Sequence, residues 1–273
     1  MLSIGYIDKL LFLCYCIIKE GSIFMLIKNI CRDDLGMVFL GSLRHCLIKK
    51  EDNDMSMLLT IIMKIQKDLT RRDFSCCLED LVNTNRYFGD VYDFTKNYEY
   101  EDNITLLTHY ILANLIKIDM KKDNLEDINI DILYRIFVDL NYFAFHSVSK
   151  EEAYEFLHGI VGSQNFIDAL NKICDEFEIG ERDDIIDIEL ELNELSFLCK
   201  NAIHYAVGRR TYVTSMVPQF IIAVKENLDK DTKDYIKNYI LSLKEKDDNS
   251  NNEYKSLGDR CDRVSWLCLV DKL

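Results

Sequence analysis

Gly208 is followed by two guanidinium groups, Arg209 and Arg210, just ahead of a segment that Ser215 can cap as a helix. Guanidinium forks beside the positive end of a helix suit phosphate or carboxylate, so the pair is a candidate anion- or partner-binding site. The simpler use is pairing with some of the 47 acidic residues of the chain, and that use is preferred. Asp90/Asp93 and Asp259/Asp262 have the D-x-x-D spacing that could place two carboxylates on one helix face to hold Mg²⁺. Gly89 and Gly258 stand in front of them, which points instead to a turn whose second aspartate caps the next helix. Tyr87, Tyr92, Tyr98 and Tyr100 alternate with Phe88, Phe94, Asp90 and Asp93. Tyrosine offers rigid area with a polar tip, so Tyr87, Asp90, Tyr92, Asp93, Tyr98 and Tyr100 are partner-binding candidates, with a core-edge loop as the other use. His45 and His204 lie among apolar neighbours, the ordinary setting of a hydrogen-bonded core histidine. His109, His146 and His158 lack ligand-like partners at helical spacing. No phosphate loop, dinucleotide, H-E-x-x-H or G-x-S-x-G motif occurs, and no nucleophile–base set is assembled. No catalytic residue, metal ligand or cofactor is therefore assigned.

The ten cysteines include no C-x-x-C pair, and most lie in apolar runs such as Phe197-Leu198-Cys199 and Trp266-Leu267-Cys268. They are expected to be reduced core thiols of a cytoplasmic protein rather than a zinc or disulfide frame. The net charge of −14 repels phosphate backbones, so direct nucleic-acid binding is not expected.

The elements that carry these residues read as helices. A single proline and ten glycines supply too few turns for a sandwich or barrel, and 48% apolar residues support a packed core. Leu35, Val38, Phe39, Leu43 and Cys46 form one helical stripe, and Leu58, Ile61, Ile62, Ile65 and Leu69 a second. Ser56, Asp73, Asn103, Ser163 and Asp262 are candidate caps, and Ser149-Lys150-Glu151-Glu152 is a capping box. Asp187–Val207 reads as one long helix closed by Gly208, Ser215–Leu228 as another with Pro218 in its first turn, and Asp231–Lys246 as a third. No strand is expected, and Lys246–Tyr254 is the main candidate for disorder. The apolar run Leu10–Ile18 is too short to span a membrane. Residues 1–25 are either a translated leader, with Met25 as the alternative start, or an N-terminal helix.

An internal repeat organises these helices. An offset of 204 − 45 = 159 aligns His45 with His204, Ser56 with Ser215, Ile62 with Ile221, Leu69 with Leu228 and Leu81 with Ile240. Phe88-Gly89-Asp90 and Leu257-Gly258-Asp259 then match after about ten extra residues in the second copy. The expected fold is all-α: a tandem pair of small helical units, 26–102 and 185–273, packed as a pseudo-dimer, with a helical insert at 103–184.

The second copy carries a longer pattern. His204-Tyr-Ala-Val-Gly-Arg-Arg-Thr-Tyr-Val213, followed by Gly258-Asp-Arg-Cys-Asp262 and Trp266, resembles small phage and prophage proteins of unknown function. Those proteins share an H/R-Y-A-L-G-R-R-T-Y-like segment and a later G-D-x-C-D. The first copy departs from the pattern, with Lys49-Lys50-Glu51 where Gly208-Arg209-Arg210 falls. The resemblance implies a mobile-element source and no reaction. Three function classes follow. The first is a non-enzymatic inhibitor or modulator acting on a basic host protein, such as a nucleic-acid-binding defence protein, in its sharpest form anti-CRISPR-like. The second is a toxin-neutralising immunity protein. The third is an enzyme or anion-binding protein with its site at Arg209 and Arg210. The first is preferred, in the cytoplasm of a bacterial host.

Overall fold

The computed structural model describes residues 24–49, 52–87, 103–120, 128, 130–143, 149–176, 184–207, 213–250, 255–258 and 260–273. Among them are eleven α-helices and one two-stranded sheet. The first unit runs β1 (Phe24–Cys31), α1 (Arg32–Lys49), α2 (Asp52–Ile65), a 3-10 turn (Gln66–Asp68), α3 (Arg71–Tyr87) and α4 (Asn103–Asp119). Three helices follow, α5 (Ile130–Phe143), α6 (Lys150–Val161) and α7 (Gln164–Glu176). The order then recurs as β2 (Ile185–Glu191), α8 (Leu192–Ala206), α9 (Val213–Val224), a 3-10 turn (Lys225–Asn227), α10 (Lys230–Asn249) and α11 (Arg260–Lys272).

The described chain is therefore all-α but for its small sheet, and elements of one type recur in the same order. The offset of 159 carries the turn at Gln66–Asp68 onto Lys225–Asn227, residue for residue. Backbone angles agree there: φ/ψ is −100/0 at Ile65 and −97/1 at Val224, then −83/147 at Leu69 and −83/139 at Leu228. The helix after each turn is capped at the same place with the partners exchanged. Thr70 Oγ1 accepts from the Asp73 amide at 3.2 Å, and Asp229 Oδ1 accepts from the Thr232 amide at 2.6 Å. Ile61/Phe220, Ile62/Ile221, Ile65/Val224 and Leu81/Ile240 are all buried, so the shared apolar phase is a shared core. Ile48 and Val207, also paired at this offset, stand outside that core, Ile48 exposed and Val207 half-buried.

The correspondence reaches one helix further than the sequence spacing suggests. α4 packs on α2 and α3, as α11 packs on α9 and α10. At the offset of 159, the buried Leu107 and Tyr110 answer to Trp266 and Leu269. The G-D-x-x-D match does not follow this register. Asp262 lies in the first turn of α11, whereas Asp93 precedes the start of α4 at Asn103 by 103 − 93 = 10 residues. Gly258 does need to be glycine: its φ is +82°, and an added Cβ would stand 2.6 Å from Asp262 Oδ2.

The strands correct the all-helical expectation for this region. Ile185–Glu191 is extended and only Leu192–Ala206 is helical, so Asp187–Val207 is not one helix. Ile186, Ile188 and Leu190 point inward and Asp187 and Glu189 outward, the alternation of a half-buried strand. Phe24 pairs with Glu191, Ile27 with Ile188 and Cys31 with Ile185, antiparallel, with an irregularity between Ile27 and Ile30. Asn29 supplies it, with φ +60° and its amide donating to Asp187 Oδ1 at 2.9 Å. Beneath the sheet, α2 packs on β2 and α9 on β1.

Several boundaries also differ. Ser56 and Asp262 lie inside helices, and Thr70, not Asp73, is the cap of α3. Pro218 sits in the second turn of α9, and α10 continues through Asn249, so Lys246–Asn249 is ordered helix. Both hydrogen bonds of the capping box at Ser149/Glu152 form. Around the first unit, α7 packs on α4 and α5 on α3. Arg71 fixes that arrangement, donating to both oxygens of Asp119 at 2.6 and 2.7 Å and also to Asp139.

Candidate functional site

α1 and α8 form the centre of the molecule, and small side chains let them approach. A Cβ on Gly41 would lie 3.5 Å from Ala202 Cα, an ordinary contact. Ser42 Oγ donates to the Leu198 carbonyl at 3.0 Å, across 156 residues of chain. Near the C-terminal ends of the two helices, His45 and His204 meet: their rings stack at 4.6 Å between centroids, with 12° between planes. The two residues aligned from the sequence therefore lie against each other between the two units.

The surroundings of the pair are asymmetric. On the side of α10, His204 Nε2 shares a 2.5 Å hydrogen bond with the Tyr235 hydroxyl, and the Tyr239 ring meets the His204 ring edge at 4.2 Å. Lys200 Nζ stands 5.5 Å from the Tyr235 ring centre. At the same offset of 159, α3 presents Cys76 and Asp80 in place of Tyr235 and Tyr239. There Arg44 pairs with Asp80 and donates to the Tyr205 hydroxyl. Burial alone would lower the Arg44 pKa, but Asp80 and Tyr205 outweigh it and hold the guanidinium charged.

Burial, the neighbouring His204 and Lys49 together pull His45 down to about 4, against a smaller opposing pull from Asp54. His204 is also lowered, by burial first and then by Lys49. Both imidazoles are neutral at pH 7. His45 Nε2 and Asp54 Oδ2 are buried without a hydrogen-bond partner. Chemically, the cluster can hold a proton between Tyr235 and His204, and His45 Nε2 is left without a hydrogen-bond partner. Its other evident work is to join the units by ring stacking, worth about 0.5–1.5 kcal/mol beyond the area buried.

Tyr235 and Tyr239 were not singled out from the sequence. Their signal was the i, i+4 spacing on one helix face, and nothing local tied that face to His204. Of the candidates that were, Arg209 and Arg210 lie outside the described residues. α8 ends at Ala206 and Val207 is extended, so the helix stops before Gly208. Asp90, Tyr92, Asp93, Tyr98 and Tyr100 also lie outside, and Tyr87 is the last residue of α3. Cys46, Cys77 and Cys199 are buried thiols, while Cys268 is exposed, contrary to its expected place in the core. Among the described residues no group of three or more His, Cys, Asp or Glu could hold a metal ion, and no helix is long and apolar enough to cross a membrane. No family model, curated protein or solved structure matches the chain.

Proposed function

We propose that this chain works by binding a protein that presents a basic surface, without turning over a small molecule. The observation that carries the reading is the acidic surplus of 47 against 33, a net −14. Three cations engage five carboxylates within the fold, and most of the acidic surplus remains outside those pairs. Lys64 joins Glu194 at 2.5 Å and Glu191 at 3.3 Å, Arg44 joins Asp80, and Arg71 joins Asp119 and Asp139. A surface of one sign steers an oppositely charged partner and raises the rate of encounter. In its sharpest form the chain is an anti-CRISPR-like inhibitor or modulator of phage or other mobile-element origin, acting on a basic host defence protein.

The test is the association rate with purified basic defence proteins at 0.1 M and 1 M salt. The Debye length falls from about 10 Å to about 3 Å between those conditions. Association should slow by at least tenfold while dissociation changes little, because rim charges act on encounter. A turnover that depends on a metal or on Arg209, with no protein partner, overturns the proposal.

A further inference from the structure

We propose that the outer face of the β1–β2 sheet is the seat of that partner, and that the partner meets it with lysine or arginine side chains around an apolar contact. The proposal rests on the reading of a basic protein partner and adds the surface. Four large apolar residues are exposed on the strands and at the end of β2: Phe24 at 41%, Leu26 at 50%, Ile185 at 53% and Leu192 at 37%. The inner face is already filled, since Ile27, Ile30, Ile186, Ile188 and Leu190 are buried over α2 and α9. The outward residues therefore have no part in this core. Exposed apolar side chains concentrated on one short sheet mark an interaction surface rather than scattered surface residues.

Charge selects the occupant. Asp184, Asp187 and Glu189 are exposed along β2, and Asp33 is exposed where β1 passes into α1. Lys28 is the one exposed cation on the two strands. The nearby Lys64 is engaged by Glu191 and Glu194, and its ammonium stands 4.7 Å from the Phe24 ring centre. Leu26 pairs directly with Glu189, so an apolar and an anionic side chain stand together on this face. A second copy of the chain would bring the same carboxylates against each other, which costs free energy. A basic surface with an apolar centre satisfies both the carboxylates and the exposed rings.

The test places a photo-crosslinking amino acid at Leu26, and as control at the exposed Asn238 of α10, in the full chain expressed in its own host cells. Crosslinked peptides are then sequenced by mass spectrometry. The expected result is a Leu26 crosslink to a lysine- or arginine-rich segment of another protein. Asp187→Lys with Glu189→Lys should reduce it by at least roughly fivefold, with the melting temperature retained. Asp187 holds the Asn29 amide, so Glu189→Lys alone serves as the second variant and should give a smaller loss in the same direction. A basic partner captured only from Asn238 overturns the seat and leaves the reading of a basic partner standing. A Leu26 crosslink to an acidic segment or to a second copy also overturns the proposal. No crosslink at either position, together with no salt-sensitive association, overturns both.

Discussion

Replacing His45 with phenylalanine keeps an aromatic ring against His204 and removes a buried, unpartnered Nε2 and one titrating group. In the folded chain His45 is pulled from 6.5 to about 4, first by burial and then by His204 and Lys49. Between those values the unfolded chain takes up a proton that the folded chain refuses. This contribution to stability is full above about pH 6.5 and is lost as the pH falls through about 4. At 1.36 kcal/mol per pH unit the whole shift amounts to about 3 kcal/mol. The ring is partly open to solvent, so screening reduces the expected loss to roughly 1–2 kcal/mol. The assay is urea unfolding of wild type and His45→Phe from pH 7.5 to 4, read by circular dichroism. The gap between the two curves isolates His45 from other groups that titrate over the same range, such as Asp34 and Glu79, which burial raises to about 6 and about 7. Wild type should lose about 1–2 kcal/mol more than the variant on acidification. Parallel curves would refute the reasoning, as would an imidazole that titrates near 6.5 by NMR.

Asp34→Asn should stabilise the protein by about 1 kcal/mol at pH 8, because ionising this buried carboxylate beside Asp33 is unfavourable in the fold. That gain should fade as the pH falls below about 6 and wild-type Asp34 takes up its proton, which a pH series of chemical melts would show. Gly258→Ala combines a left-handed backbone with a Cβ 2.6 Å from Asp262 Oδ2, and should cost about 1–3 kcal/mol in thermal unfolding. Arg71→Ala leaves the buried Asp119 carboxylate without its cation and should cost about 2–3 kcal/mol, whereas Arg71→Lys should recover part of it. If hydrogen exchange in α5 is unchanged in Arg71→Ala, the ion pairs do not fix that helix.

The recurring order of elements was legible because it is a property of pattern. Helices that recur in one order place apolar residues at matching phases when they fill similar cores, and Ile61/Phe220 and Ile65/Val224 are buried in that way. The strand Ile185–Glu191 was not legible. Ile186, Ile188 and Leu190 alternate, but Ile186 and Leu190 are also four residues apart and lead into the stripe of Leu195 and Leu198. A short apolar run fits both periods, and the pairing that decides between them lies at Phe24–Cys31, more than 150 residues away. The caps slipped by a few residues for a related reason: both Thr70 and Asp73 can accept amide hydrogen bonds, and only the path of the chain chooses.

The sequence by itself therefore determined the helical class, the offset of 159 at which elements recur, the place of His45 and His204 at that offset and the net charge of −14. Each follows from composition or from periodicity along the chain, and needs no knowledge of what lies across the fold. Tertiary structure alone decided that the two histidines stack, that Tyr235 and Tyr239 lie against His204, that Arg44 pairs with Asp80, and that Phe24 and Leu26 face outward beside Glu189. Those facts depend on contacts between residues far apart in sequence. Which of two equally apolar faces turns inward is settled by the neighbours it meets there, and local pattern carries no record of them.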